Sequence, residues 1–170
     1  MSKAATLLKA CHWELRPEDM IIGKKKLGEG GQATVFQGKW QGVDVAIKKA
    51  RMRFQDCGRG ALRRRAEEEL NSITETIRRE VRALTRVHHP NVVRMYGACF
   101  EPTPMVVMAY APLGTLQDAL AEKKFQAIAE VVRLLAGIAR GMEAVHAHKI
   151  IHLDLKPENV CLLALHSALP

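Results

Sequence analysis

Apolar and polar residues alternate along residues 20–49, and glycines interrupt the alternation at positions 28, 30, 31, 38 and 42. A period of two places successive side chains on opposite faces of a strand, and glycines between such runs are typical of turns. The pattern therefore predicts consecutive antiparallel strands at about 20–27, 34–40 and 43–49.

The following segment changes to a helical period. Apolar residues recur every three or four positions through residues 62–87, which is the spacing of one helix face. We predict one long helix that is ended by His88-His89-Pro90, since helical backbone is disfavoured before a proline. Two more strands are predicted at Val92–Tyr96 and Met105–Ala109, separated by a turn at Glu101–Pro104. Together these elements predict an α+β fold, in which one long helix covers a five-stranded antiparallel sheet.

The second half of the chain is predicted to be helical. A short helix begins after Gly114, with Thr115 as its N-cap and Asp118 three residues further on, as in a capping box. Apolar residues at helical spacing then predict a second long helix at about 128–146. That helix leads directly into a loop at His152.

This loop carries the strongest chemical signal in the chain, His152-Leu153-Asp154-Leu155-Lys156-Pro157-Glu158-Asn159. The run resembles the catalytic loop of a protein kinase. Phosphoryl transfer from ATP needs a carboxylate that orients the attacking hydroxyl, a cation that offsets phosphoryl charge, and a ligand for Mg²⁺. Asp154, Lys156 and Asn159 fit these roles in that order. The alternative is an ordinary surface turn, which eight ordered positions disfavour.

A glycine-rich turn lies between the first two predicted strands, at Gly28-Glu29-Gly30-Gly31-Gln32-Ala33-Thr34-Val35. A phosphate chain packs against backbone N–H groups only where side chains do not intervene, so the turn suits a triphosphate. Taken alone, such a hairpin is more often only a turn, and Ala33 stands where the motif has a third glycine. Gly28, Gly30, Gly31 and Val35 are the candidate nucleotide contacts.

The third predicted strand, which contains Val45-Ala46-Ile47-Lys48, strengthens this hypothesis. Alternation puts Ala46 and Lys48 on one face, where Ala46 would lie against an adenine and Lys48 would reach the α- and β-phosphates. Such a lysine needs a carboxylate that holds it extended. Among the glutamates of the long helix we choose Glu80, because it lies just before the apolar seam and can face the sheet. The alternative is a surface strand with solvated charges.

Taken in this order, the motifs resemble a protein kinase from about Trp13 to Leu163. Three further segments resemble the tyrosine-kinase-like group of serine/threonine kinases: Trp13-Glu14-Leu15, Gly38-Lys39-Trp40-x-Gly42 and Tyr96-Gly97. The resemblance implies an N-terminal extension at 1–14, a kinase small lobe at 15–110 and a partial helical large lobe at 111–170. It also implies ATP and Mg²⁺ as cofactors, Met108 as the gatekeeper, and a hinge from Ala109 to Ala111 that binds adenine.

The chain departs from the family in two places. Leu153 stands where such kinases usually carry an arginine that reads a phosphorylated activation loop, so control through that arginine is not expected. No Asp-Phe-Gly segment follows Asn159, and the residues after Leu163 no longer follow the family. We therefore expect a truncated catalytic domain. The apolar face of its second long helix would be exposed to solvent, because the helices that usually cover it are missing. Activity of the isolated chain would be weak or absent, because a metal-binding carboxylate is missing.

The predicted function is that of an ATP-dependent protein serine/threonine kinase domain, with a protein substrate or another kinase as its partner. The alternative is a non-catalytic, pseudokinase-like regulator that binds nucleotide and acts on another kinase.

Composition changes this picture little. Residues 48–65 hold eight lysines and arginines but one aspartate, within a formal net charge of +8. Such a block suits nucleic acid or an acidic surface, yet aromatic residues for base stacking make up only 5% of the chain, so nucleic-acid binding is not favoured. The chain shows no export signal and no apolar stretch of membrane-spanning length. A cytoplasmic protein with reduced thiols is expected from its four widely separated cysteines, Cys11, Cys57, Cys99 and Cys161.

Overall fold

The computed structural model describes residues 13–31, 33–51, 61–125 and 127–163. A 3₁₀ turn at Pro17–Asp19 precedes the strands, and another at Pro157–Asn159 follows the helices. The described strands and helices are, in chain order, β1 (Met20–Glu29), β2 (Ala33–Trp40), β3 (Val43–Ala50), α1 (Ala61–Leu84), β4 (Met95–Cys99), β5 (Met105–Ala109), α2 (Leu116–Ala121) and α3 (Ile128–Ala147).

The sheet has the strand order β1-β2-β3-β5-β4 and is antiparallel. Its first three strands form a meander, in which Gly28 pairs with Val35 and Val35 pairs with Lys48. The predicted fold class, a kinase-like α+β arrangement built on a five-stranded antiparallel sheet, is confirmed.

Apolar layers cover both faces of this sheet. One layer is formed by Val45, Ile47, Met20, Cys99, Met105 and Val107. On the other face, Val81 and Ile77 of α1 pack against residues that include Val106 and Met108. Because side chains alternate along β3, Ala46 and Lys48 lie on the face that α1 covers.

The predicted position of β4 is wrong, because the strand begins at Met95 and includes Gly97. A Cβ atom on Gly97 would collide with the carbonyl oxygen of Trp13, so glycine is needed where the segment 13–15 lies beside β4. Ala98 N–H donates to Trp13 O at 2.7 Å, and Leu15 N–H donates to Ala98 O at 2.8 Å. A glycine that resembles a turn signal therefore occupies a buried strand position.

The predicted end of α1 is also wrong, because the helix stops at Leu84 and does not reach Val87. The N–H and the hydroxyl of Thr85 both donate to the carbonyl oxygen of Val81, at 2.9 and 2.8 Å, and close the last turn. The apolar spacing that continues to Val87 therefore overstates the length of the helix.

The chain forms two compact units. Among the described residues, the first contains those up to Thr85 together with Met95–Met108, and the second contains Arg86–Arg94 together with those from Ala109 onward. Close packing inside the second unit accounts for the membership of Arg86–Arg94. A Cβ atom on Gly141 of α3 would lie 2.5 Å from the carbonyl oxygen of Asn91, so the glycine permits this approach.

Two predictions for the second unit are confirmed. Asp118 N–H donates to the Thr115 hydroxyl at 3.2 Å, while Thr115 N–H donates to the Asp118 carboxylate at 2.9 Å, which is a capping box. The second long helix, α3, has the predicted solvent-exposed apolar face, since Ile128, Val132 and Leu135 are 84%, 57% and 57% exposed.

Three predicted features fall partly outside the described residues. They are the N-terminal extension up to residue 12, residues 52–60 of the basic block, and residues 164–170. The described helices include none that is both long and apolar enough to cross a membrane.

Candidate active site

Three of the predicted nucleotide contacts lie in one row across the sheet, formed by Gly28 in β1, Val35 in β2 and Lys48 in β3. Directly paired residues of antiparallel strands point to the same face. Ala46 lies on this face as well and is buried. The strand register therefore puts the Lys48 side chain on the same face as the Gly28 position of the glycine-rich turn.

The glycine-rich turn leaves room for a ligand against its backbone. Gly30 N–H donates to the Ala33 carbonyl at 2.9 Å and closes the hairpin. A Cβ atom on Gly28 or Gly31 would meet nothing within 4 Å, and all three glycines are exposed. Packing within the described protein therefore does not require glycine at positions 28 and 31, and the backbone there is open to a ligand.

The structure brings Lys48 and Glu80 together, as the sequence predicted. The Lys48 Nζ lies 3.5 Å from Glu80 Oε1, and the two side chains are 40% and 38% exposed. Ile77 and Val81 hold α1 on the sheet, so Glu80 projects from the flank of the buried helix face. An ion pair this exposed adds only about 0–1 kcal/mol of stability, and its main effect is to hold the amine in place.

A charge cluster at the base of the glycine-rich turn was missed by the sequence analysis. The Glu29 carboxylate accepts a hydrogen bond from Lys26 Nζ at 3.0 Å and forms an ion pair with Arg51, which follows β3. Glu29 pairs with Thr34, so its side chain lies on the face opposite to Lys48. In the sequence, this cluster is indicated only by the opposite charges of Lys26 and Glu29. Opposite charges at such spacing are equally common among solvated residues that make no contact.

The predicted gatekeeper and hinge positions fall in different units. Met108 belongs to the first unit, where it is half-buried and packs against the cluster that contains Val81. Ala109 and Ala111 belong to the second unit. Ala109 N–H donates to the Arg94 carbonyl at 2.8 Å, and the Ala111 carbonyl accepts from Gly114 N–H at 3.2 Å.

The three predicted loop residues are brought together in the second unit. Lys156 Nζ lies 3.1 Å from Asp154 Oδ1. The side-chain amide of Asn159 donates to Asp154 Oδ2 at 2.9 Å and to the Asp154 backbone carbonyl at 2.8 Å. Asp154 is therefore held by a cation on one carboxylate oxygen and by an amide on the other.

The backbone around this cluster is held by local contacts. Leu153 has a φ of 59°, in the left-handed region, and Asp154 N–H donates across it to the His152 carbonyl at 2.8 Å. That conformation costs about 1–2 kcal/mol for a residue with a Cβ atom. After the loop, Leu116 N–H donates to Val160 O at 2.8 Å, which fixes the loop to the start of α2.

Hydrogen bonds from Lys156 and then from Asn159 hold the pKa of Asp154 below its ordinary value. The Asp154 carboxylate is therefore ionised at neutral pH and acts as a hydrogen-bond acceptor. This state suits a group that orients a hydroxyl toward a reacting phosphate.

This cluster offers few oxygen atoms to a metal. It therefore suits Mg²⁺ that is shared with phosphate oxygens, and it does not suit a metal that is bound by protein side chains alone. Across the described residues, no group of three or more histidine, cysteine, aspartate or glutamate side chains is placed to hold a metal ion. Mg²⁺ in phosphoryl-transfer sites is bound through one or two protein oxygens together with phosphate oxygens. The side-chain amide oxygen of Asn159, whose nitrogen donates to Asp154, is an oxygen of this kind.

Comparisons with known proteins find that the chain is similar to protein kinases. The protein kinase domain family matches residues 22–167 of the chain. A probable serine/threonine-protein kinase of Dictyostelium discoideum is 35% identical over 139 residues, which are 81% of this chain and 14% of that protein. Mitogen-activated protein kinase kinase kinase 11 of Homo sapiens is 35% identical over 154 residues, which are 88% of this chain and 16% of that protein. The chain therefore spans less than a fifth of the length of these relatives.

Proposed function

This chain belongs to the protein kinase family, and on that premise we propose that it binds ATP with Mg²⁺ and phosphorylates serine or threonine residues of a protein. Protein kinases generally use these two cofactors. The observation that carries the proposal is the Lys48–Glu80 ion pair, which lies on the same face of the sheet as the Gly28 position of the open glycine-rich turn.

The candidate site residues of the first unit have roles in nucleotide binding under this proposal. The backbone N–H groups of the turn at residues 28–31 bind the phosphates, and Lys48, held by Glu80, binds the α- and β-phosphates. Ala46, Val35 and Met108 contact the adenine. In the second unit, Ala109 and Ala111 supply backbone hydrogen bonds to the adenine.

The loop of the second unit acts on the reacting groups. Asp154 accepts a hydrogen bond from the substrate hydroxyl and directs its oxygen toward the γ-phosphorus. Lys156 offsets negative charge on the transferred phosphoryl group, and Asn159 supplies an oxygen to the metal. When bound, Mg²⁺ neutralises charge on the phosphate oxygens.

Equilibrium binding of ATP with Mg²⁺ tests the nucleotide half of the proposal. We expect the chain to bind ATP and Lys48→Met to bind it at least about tenfold more weakly, because a charge-assisted phosphate contact is lost. Lys39→Met is the matched control, since Lys39 forms an ion pair of 3.2 Å with Asp44 in the same sheet. Equal affinities of all three proteins would contradict the proposal.

Transfer of labelled γ-phosphate to a serine/threonine peptide library tests the catalytic half. We expect any transfer by this chain to be lost in Asp154→Asn, whereas ATP affinity is retained. Transfer that survives this substitution would remove Asp154 from its proposed role.

ATP binding without any transfer would favour the alternative, a non-catalytic nucleotide-binding regulator of another kinase. The exposed apolar residues Ile128, Val132 and Leu135 of α3 are the observation that favours this alternative, because exposed apolar patches often bind protein partners. Either function is proposed to operate in the cytoplasm, with a protein as substrate or partner.

A further inference from the structure

α1 carries two charged side chains on opposite flanks of the face that it buries. Ile77 and Val81 form that face and pack on the sheet. Successive residues of a helix are turned by about 100°, so Arg78 leaves the buried face on one side and Glu80 leaves it on the other. Glu80 contacts Lys48 of β3, and Arg78 contacts Phe100, which follows β4.

The Arg78 contact is made with an aromatic ring. The guanidinium carbon of Arg78 lies 4.3 Å from the centroid of the Phe100 ring, which is the geometry of a cation–π interaction. Phe100 directly follows β4, is 9% exposed, and meets the edge of Trp13 at a centroid distance of 6.0 Å. The ring is therefore fixed by its surroundings, and it offers a stationary contact for the helix.

The Glu80 contact is the ion pair with Lys48 of β3. Apolar packing through Ile77 and Val81 is non-directional, so it resists rotation of α1 about its own axis only weakly. A rotation of about 20° moves an atom that lies roughly 6 Å from the axis by about 2 Å. That displacement is enough to separate a pair whose atoms are 3.5 Å apart.

We propose that Arg78 and Phe100 are positioning residues, which fix the rotation of α1 and so keep Glu80 in contact with Lys48. The consequence for ligand binding rests on the proposed function, in which Lys48 binds the phosphates of ATP. Loss of the Arg78–Phe100 contact then weakens binding of the phosphate part of the nucleotide and leaves binding of the nucleoside part unchanged.

Nucleotide affinities provide the first test. We expect Arg78→Gln to weaken ATP binding about two- to fivefold, the range of an exposed cation–π contact, and to leave adenosine binding unchanged. The control is Arg79→Gln, an exposed arginine one position further along the same helix. Arg78→Lys keeps a cation over the ring and should retain most of the ATP affinity, and Phe100→Leu should behave like Arg78→Gln.

A second test reads the ion pair without any nucleotide. A water-soluble carbodiimide adds to a carboxylate as an O-acylisourea, and an amine in contact with that group displaces a urea and forms an amide. Mass spectrometry then compares the Lys48–Glu80 product with the product of Lys39 and Asp44, an exposed ion pair of the same sheet that serves as internal reference. We expect the ratio to fall about two- to fivefold in Arg78→Gln and to stay constant in Arg79→Gln.

The outcomes separate the two proposals. An unchanged cross-linking ratio in Arg78→Gln would overturn the positioning role, as would an equal loss of ATP and adenosine affinity. In a Glu80→Gln background, Arg78→Gln should have no further effect on ATP affinity, and an additive effect would also overturn it. If the parent chain binds no ATP, the proposed function fails, and the cross-linking ratio alone decides the role of Arg78.

Discussion

Replacing Gly97 with alanine tests whether the segment 13–15 lies beside β4 as the structure shows. The new methyl group would collide with the carbonyl oxygen of Trp13 and would lie 2.8 Å from Leu15 Cγ. The carbonyl belongs to the backbone, so the collision is relieved only if the whole segment moves away from the strand. We therefore expect Gly97→Ala to separate residues 13–15 from Ala98.

The cost follows from the contacts that this separation breaks. Two backbone hydrogen bonds are lost, at 2.7 and 2.8 Å, and each contributes about 0.5–1.5 kcal/mol net. The edge contact between Trp13 and Phe100 contributes about 0.5–1.5 kcal/mol more. We therefore expect the free energy of unfolding to fall by about 1.5–4.5 kcal/mol.

Urea unfolding followed by tryptophan fluorescence measures this loss. The chain has two tryptophans, Trp13 and Trp40, and both belong to the first unit. Gly31→Ala is the control, because a Cβ atom there meets nothing within 4 Å, and we expect a change within about 0.5 kcal/mol. A Gly97→Ala variant as stable as this control would refute the packing of the segment 13–15 on β4.

Three further predictions concern the second unit. Because hydrogen bonds lower the folded-state pKa of Asp154, its contribution to stability is present above the ordinary value of 3.8 and is lost as the pH falls through the folded-state pKa. Lys156→Gln should raise the pKa of the Asp154 carboxyl in an NMR titration, and an unchanged pKa would contradict the contact. Gly141→Ala should lower the free energy of unfolding by about 1–3 kcal/mol in urea denaturation, because the methyl group would lie 2.5 Å from the Asn91 carbonyl oxygen. Thr115→Ala removes the cap of α2 and should cost about 1 kcal/mol by the same measurement, and a neutral result would show that the capping box adds no stability.

The elements predicted well are those whose signal is contained in a few neighbouring residues. Period-two alternation located β1, β2 and β3 to within a few residues, since alternation is a direct consequence of strand geometry. Helical spacing located α3, and the spacing of Thr115 and Asp118 identified a cap that depends only on contacts within one turn.

Features that the sequence did not reveal depended mainly on partners distant in the chain. Gly97 belongs to β4 because residues 13–15 approach it, and a window around Gly97 does not contain those residues. The segment Arg86–Arg94 belongs to the second unit because Asn91 packs on α3, about fifty residues later in the chain. The Glu29–Arg51 ion pair was missed for the same reason, because it joins the end of one strand to the end of another.

The sequence by itself identified the family of this protein and its candidate site residues. The motifs are recognised from residue types at specific spacings, without any coordinates. They are the glycine-rich turn, the lysine in β3, the helix glutamate and the Asp154 loop, in that order. The sequence predicted that Lys48 and Glu80 meet, but whether they do depends on the rotation of α1 over the sheet, which only the tertiary structure decides. The Arg78–Phe100 contact, which we propose fixes that rotation, joins two residues that no local periodicity relates.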